Sequence, residues 1–174
     1  MEQQKIRQLT DDLEPLFADT EKGVHRAVSC AERDAIRVSF VAGYYGQLES
    51  KLINYIAKYV AAGYLHQQFY IYYEVKLAMW RGEESGHICS LAQRALELTK
   101  ATGEIPDCKT KKYTYTELEL LLTLIEYGDE QWKDAEKKEI GLLKIVQYAR
   151  LYFEEERRVA IEDRAWQLLI EEKK

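Results

Sequence analysis

Proline is almost missing from this chain. Only Pro15 and Pro106 interrupt 174 residues, so long helices can run without the lost donor and ring clash that proline brings to a helix interior. Cysteine is nearly as scarce. Cys30, Cys89 and Cys108 are odd in number and lack the paired spacing of a metal site. They read as reduced thiols of a cytoplasmic protein, not as a disulfide framework. His25 and His66 have no ligand-type partner four residues on, so zinc is not expected. Asparagine occurs once, as Asn54. Excess positive charge is absent: 25 Lys and Arg face 30 Asp and Glu, for a net charge of −5. Such a chain makes a poor nucleic-acid binder by itself, because phosphate neutralisation needs a basic face. No long apolar run occurs either. The longest, Tyr59 to Leu65, falls far short of the roughly 20 residues that cross a bilayer. The start, Met1-Glu2-Gln3-Gln4-Lys5, does not have the pattern of a signal peptide. No Ser-His-Asp or His-Cys arrangement stands out. Glu84-Ser85-Gly86-His87 has the Glu-x-x-His spacing of a di-iron bundle, but such sites need two copies and two further Glu ligands. It reads as a surface turn, and no cofactor is expected.

What remains is helical. Apolar residues make up 47% of the chain and recur at spacings of three and four, while strand-type alternation is scarce. The expectation is an all-α protein. The organising stretch is Leu91 to Ile125. Leu91, Ala95 and Leu98 share one helical face. Gly103 and Pro106 then stop the helix, and a basic loop with Lys109, Lys111 and Lys112 follows. Thr114 and Glu117 fit a capping box ahead of Leu118. One helix closes, a loop follows and a second helix opens, as at a junction between stacked helical units.

The remaining segments follow the same logic. Residues 2–19 predict one or two short helices, with Asp12 as a cap, Pro15 in the first turn and Leu13, Leu16 and Phe17 inward. Residues 24–41 carry a stripe of Val24, Ala27, Val28, Ala31, Ala35, Val38 and Val41, small enough for close helix packing. Gly43 and Gly46 mark a turn. Leu48, Leu52, Tyr55, Ile56 and Tyr59 then form a face that ends near Gly63. Residues 64–80 form an aromatic helix buried on most sides, with Phe69, Tyr73, Leu77 and Trp80 as its core stripe. The pairs 64–80 with 84–99, and 115–127 with 130–153, read as helical hairpins. Stacked together, they give one helical-repeat domain over residues 1–174, a right-handed array of antiparallel hairpins with a period near the ~34 residues of a tetratricopeptide unit.

Ala95-Leu96-Glu97-Leu98-Thr99, then after a loop Thr114-Tyr115-Thr116-Glu117-Leu118, resembles the body of bacterial regulators that carry an Xre/Cro-type helix-turn-helix head. It is similar to the tetratricopeptide-like bodies of the PlcR and Rgg peptide-responsive regulators. The resemblance covers about residues 45–165. It implies a non-catalytic regulatory domain of a transcriptional regulator that binds a peptide or protein and dimerises. No helix-turn-helix pattern stands near the N-terminus, so the DNA-binding head is not part of the match. Members of this family hold peptides with asparagine side chains, and this chain has only Asn54.

The candidate ligand set is Asn54, Gln68, Tyr72 and Lys76. Gln68, Tyr72 and Lys76 are spaced by four and so share a helix face. Tyr and Gln can bond a peptide backbone and Lys76 a terminal carboxylate, although an ordinary half-solvated face has the same spacing. Gln47, Gln67 and Gln93 offer further carboxamides. Trp132, Trp166, Leu168 and Leu169 suggest a dimer surface if they lack internal partners. Two other functions fit the same residues. One is a stand-alone helical adaptor. The other is an effector-binding domain whose cavity is ringed by Phe69, Tyr73 and Trp80.

Overall fold

The structure is a computed structural model that describes residues 3–174. The described residues are helical with no strand. They form two compact units, Met1–Arg81 and Gly82–Lys174, where the sequence reads as one continuous array.

The first unit holds α1 (Gln3–Gln8), α2 (Glu14–Thr20), α3 (Gly23–Val41), α4 (Tyr45–Tyr59) and α5 (Tyr64–Arg81). α1 and α2 lie on α3, α3 packs on α4, and α4 packs on α5. Pro15 sits in the first turn of α2 as the sequence predicts, but the cap position is Leu13, not Asp12. Leu13 and Phe17 are fully buried while Leu16 is exposed. Gly43 adopts φ +74° between α3 and α4, a left-handed conformation that a side chain would strain.

α5 is enclosed on most sides, as its composition predicts. Phe69, Tyr73 and Leu77 are fully buried, with Phe69 and Tyr73 rings 4.9 Å apart. Trp80 departs from this stripe. It is 58% exposed and stacks on Tyr45 at 4.4 Å, so it does not line an interior cavity with the other two.

The second unit holds α6 (Ser85–Glu97), α7 (Tyr115–Glu126), a 3-10 turn (Glu130–Trp132), α8 (Ala135–Tyr152) and α9 (Glu155–Glu171). α6 packs on α7 and α8 on α9, with α7 also against α9. The hairpin is therefore α6 with α7, closed by the loop that the sequence singled out. α7 is chiefly a partner of α6 and α9, and only secondarily of α8. The capping box forms: the Glu117 amide donates to Thr114 Oγ1 at 3.1 Å, and the Thr114 amide donates to Glu117 Oε1 at 2.8 Å. The loop is pinned to α8 by tyrosines. The amides of Lys112 and Tyr113 both donate to the Tyr148 hydroxyl at 2.7 Å, and the Tyr152 hydroxyl donates to the Cys108 carbonyl at 2.9 Å.

Residues 130–153 form two elements instead of one, because Asp134 starts α8 afresh by accepting from the Lys137 amide at 2.7 Å. Trp132 folds inward against Gly141, where an added Cβ would stand 2.6 Å from the indole. Trp132, Leu168 and Leu169 are buried within the chain. Three of the four residues of the expected C-terminal dimer surface are thus occupied internally, while Val159, Trp166 and Ile170 of α9 are exposed. No helix among the described residues is long and apolar enough to cross a membrane.

Candidate functional site

Gln68, Tyr72 and Lys76 share a face of α5, as their spacing requires, but it is not an open one. Gln68 retains 1% and Tyr72 2% of its surface. Lys76 is half-buried, with its ammonium 5.2 Å from the centre of the Tyr72 ring. Asn54 is exposed on α4. Of the four, Asn54 and Lys76 keep solvent access, while Gln68 and Tyr72 belong to the interior. Tyrosine's two-sided chemistry made both readings possible, and burial of α5 on most sides decides between them.

The strongest polar constellation lies elsewhere, beneath α3. This helix turns Arg33, Asp34 and Arg37 inward. Arg33 and Arg37 are one turn apart and fully buried. Arg33 donates to Glu14 at 2.7 and 2.9 Å and to Glu21 at 3.0 Å. Arg37 donates to both Asp11 oxygens at 2.8 Å, and to Glu14 and Asp34 at 3.0 Å. Arg7 forks onto Asp34 at 2.6 and 2.9 Å. Phe17 carries the Arg33 guanidinium 3.6 Å above its ring, and Phe69 carries that of Arg37 at 5.1 Å. The flat, delocalised guanidinium suits both roles, stacking on a ring while forking onto carboxylates.

Two buried guanidiniums, with the part-exposed Arg7 at the edge, thus face four carboxylates, and an unpaired charge beside Arg33 or Arg37 would cost several kcal/mol. Burial alone would raise the Glu14 carboxyl. The Arg33 hydrogen bonds and the Arg33 and Arg37 charges reverse this and hold it at about 2. Asp11 is likewise held below its ordinary value, as Arg37 and the Tyr73 hydroxyl outweigh burial. Tyr73 donates to Asp11 at 2.6 Å.

One end of the network reaches a cavity of about 200 Å³ lined by Thr20, Glu21, His25, Gly63, Tyr64 and His66. Burial pushes His66 below its usual value. Glu21 opposes this, and Arg33 and His25 add to it. The ring is therefore neutral near pH 7, and its partners assign the tautomer: Nδ1 accepts from the Tyr55 hydroxyl at 2.5 Å, and Nε2–H donates to Glu21 at 2.9 Å. Ser29 completes the Glu21 shell at 2.6 Å. Both ring nitrogens are thus engaged by partners within the first unit. Among the described residues no group of three or more His, Cys, Asp or Glu is placed to hold a metal.

Burying the arginines leaves the valine–alanine stripe of α3 facing out. Val24 is 82% exposed, and Val28 and Val38 are exposed as well. Ala27, Ala31 and Ala42 are exposed, and Ala35 is half-exposed. The sequence marked this stripe as a packing face. Within the described chain it is the solvent face, because the opposite side offers two arginines to the acids of residues 11–21. Arg33 and Arg37, four apart, were the available signal, together with Asp11, Glu14 and Glu21, which had no other assigned role.

The second unit has a different feature. A cleft of about 490 Å³ lies between α6 and the turn after α7, lined in part by Cys89, Gln93, Arg94, Tyr127, Asp129 and Glu130. Arg94 and Glu130 are exposed, and Gln93, Tyr127 and Asp129 are half-buried. Burial pushes the Cys89 thiol up, and Asp129 adds to this, so it is not a reactive thiolate. The Gln93 amide donates to Glu97 at 2.8 Å. One wall thus carries a guanidinium and a carboxamide, and the other carries two carboxylates. Comparison of the chain with protein-family models, with curated proteins and with solved structures gave no match.

Proposed function

We propose that this chain is a non-catalytic, protein-interaction body that binds an extended peptide or a peptide segment of a partner protein, and that it serves as the regulatory part of a bacterial transcriptional regulator. The observation that carries the binding reading is the dipolar cleft of the second unit. Its volume of about 490 Å³ lies within the roughly 300–1,000 Å³ of ligand pockets. Arg94 offers a bidentate seat for a carboxylate, Gln93 offers a donor and an acceptor for a peptide amide, and Asp129 with Glu130 faces an amine or a basic side chain. The non-catalytic reading is supported by the chemistry of the titratable groups. The acids and arginines of the first unit, Asp11, Glu14, Glu21, Arg33 and Arg37, are paired with each other in the interior, and burial raises the Cys89 and Cys108 thiols away from the reactive thiolate. The regulatory role rests on the resemblance carried by Ala95–Thr99 and Thr114–Leu118.

The test is thermal melting of the chain against a library of short peptides with free termini. A ligand that binds only the folded state raises the melting temperature. The expected outcome is a shift with some peptides that disappears in Arg94→Ala, whose own melting temperature matches the parent because Arg94 is exposed. If millimolar peptides produce no shift, or if Arg94→Ala binds as well as the parent, the cleft is not a peptide site. Whether the gene encodes a helix-turn-helix joined to this segment decides the regulator reading separately.

A further inference from the structure

We infer that the outer side of the α8–α9 hairpin is a self-association surface, on which a second copy of this chain docks face to face. The partner's α9 lies on this α8, and the partner's α8 on this α9. The hairpin is antiparallel, since Arg150 pairs with Glu162 and Lys138 with Glu172. The Arg150–Glu162 pair marks the outer side. Leu143 and Gln147, seven and three residues before Arg150, lie on its outward flank at 3.6 residues per turn. Ile140 and Leu151, seven before and four after Gln147, continue that flank. On α9, Val159 and Trp166, three before and four after Glu162, lie on the matching flank, and Ile170 follows four after Trp166. The apolar side chains of this band are exposed by 40 to 57%.

The charges at the two edges of the band select what covers it. Beyond the α8 half lie Lys144 and the loop lysines Lys109, Lys111 and Lys112, all exposed. The loop is held at that edge through Tyr148 and Tyr152. Beyond the α9 half lie Glu156 and Asp163, also exposed. Nearby charges meet within the chain, as in Arg157–Glu154 and Arg164–Glu126. Among the described residues these four lysines and two acids have no ion-pair partner. The surface is therefore basic along one edge, acidic along the other and apolar between. A two-fold axis along the seam between α8 and α9, parallel to both, lays each acidic edge on the partner's basic edge. The surface is its own complement, as an isologous interface requires.

The register agrees. Ile140 and Ile170 each stand two residues inside the Lys138–Glu172 pair, Lys144 and Trp166 six, and Leu151 and Val159 thirteen. Residues level with each other in one hairpin face each other across this axis. Ile170 therefore meets the partner's Ile140, and Val159 meets the partner's Leu151. Trp166 meets the partner's Lys144, a cation–π pairing, with Asp163 one turn away. Glu136, an acid on the α8 flank, stands two residues outside the pair, level with Lys174, so it too meets an opposite charge.

The 18 residues of α8 give a length of about 27 Å. Two helices about 9 Å apart, with the loop edge, give a width of about 25 Å. That is on the order of 650 Å² of footprint per copy, near the ~800 Å² per partner of a standard interface. The apolar band supplies the affinity, and the edges set the orientation. None of the cleft residues takes part, so the inference stands apart from the peptide-binding reading.

Sedimentation of the parent chain from low micromolar to several hundred micromolar tests it. The average mass is expected to rise from 20.4 kDa toward twice that value. One variant reverses the acidic edge, Glu156→Lys with Asp163→Lys. A second reverses the basic edge, Lys109→Glu with Lys144→Glu. Each is expected to weaken self-association by roughly tenfold or more, with the melting temperature unchanged because the sites are exposed. An equal mixture of the two is expected to restore it, because every edge again meets its opposite. Arg94→Ala is expected to leave association intact. Under mild oxidation, a mixture of Leu151→Cys and Val159→Cys is expected to cross-link more than either alone, with the parent as the blank. A parent that stays monomeric throughout, a dimer indifferent to both reversals, or a mixture that associates no better than its components would each overturn the proposal.

Discussion

α3 in the first unit and α7 in the second each turn a face into the core of their unit, yet the faces bury opposite chemistries. α7 sends Leu118, Leu120, Leu121, Leu122, Leu124 and Ile125 inward. α3 sends Ser29, Arg33, Asp34, Ile36, Arg37 and Ser39 inward, so one residue of that set is a large aliphatic. The second unit is held by non-directional burial, which tolerates small shifts. The first is held by a network in which each carboxylate needs its guanidinium at hydrogen-bond distance. A buried ionic network adds little net stability over an apolar core, but it strongly penalises the loss of any member. The two units should therefore fail in different ways.

The largest effect is expected at Arg37. Arg37→Ala removes three carboxylates' shared partner and takes from Asp11, fully buried in its side chain, the guanidinium that forks onto both its oxygens. A loss of about 3–5 kcal/mol in urea unfolding at pH 7 is expected. That loss shrinks in acid, where protonated carboxyls no longer need the arginine. Next comes Leu121→Ala in α7, expected to cost about 2–5 kcal/mol by the lost burial and residual cavity, with no such pH dependence. If the two losses respond to pH alike, the contrast between the units fails. The smallest effect is Thr114→Ala. It removes one half of the α7 capping box and is expected to cost about 1 kcal/mol, with the change in amide exchange concentrated in the first turn of α7.

The contrast also explains what could be read from the sequence. The spacing of apolar residues and the turn glycines place the helices, and the Thr114–Glu117 box marks the start of α7, because these signals are local. The second unit follows the rule that apolar faces point inward, so its core was legible. In α3 the same rule selects the wrong side. Which face of α3 turns in is decided by Asp11, Glu14 and Glu21, twelve or more residues away from their arginines and silent in any periodicity. Gln68 and Tyr72 were misplaced for a related reason: a polar-aromatic face looks half-solvated until its neighbours close over it. The division into two units was not legible, because Gly82 ends α5 with the same left-handed turn that Gly43 uses within the first unit. The cleft of the second unit was only hinted at by Gln93.

The most direct measurement is residue-resolved amide exchange as the pH falls from 7 to 2. Glu14 is held at about 2 against an ordinary 4.5. The stability it contributes is present above 4.5 and lost as pH falls toward 2, on the order of 3 kcal/mol by linkage. Asp11 and Glu21 shift in the same direction. His66 is held below its ordinary value, so the folded state takes up fewer protons there than the unfolded chain, and this erosion starts as soon as pH drops below about 6.5. Amides of α3 should lose protection first, while those of α7 persist to lower pH. Equal loss in both helices at one pH, or α7 opening before α3, would contradict a first unit organised around buried arginine–carboxylate pairs.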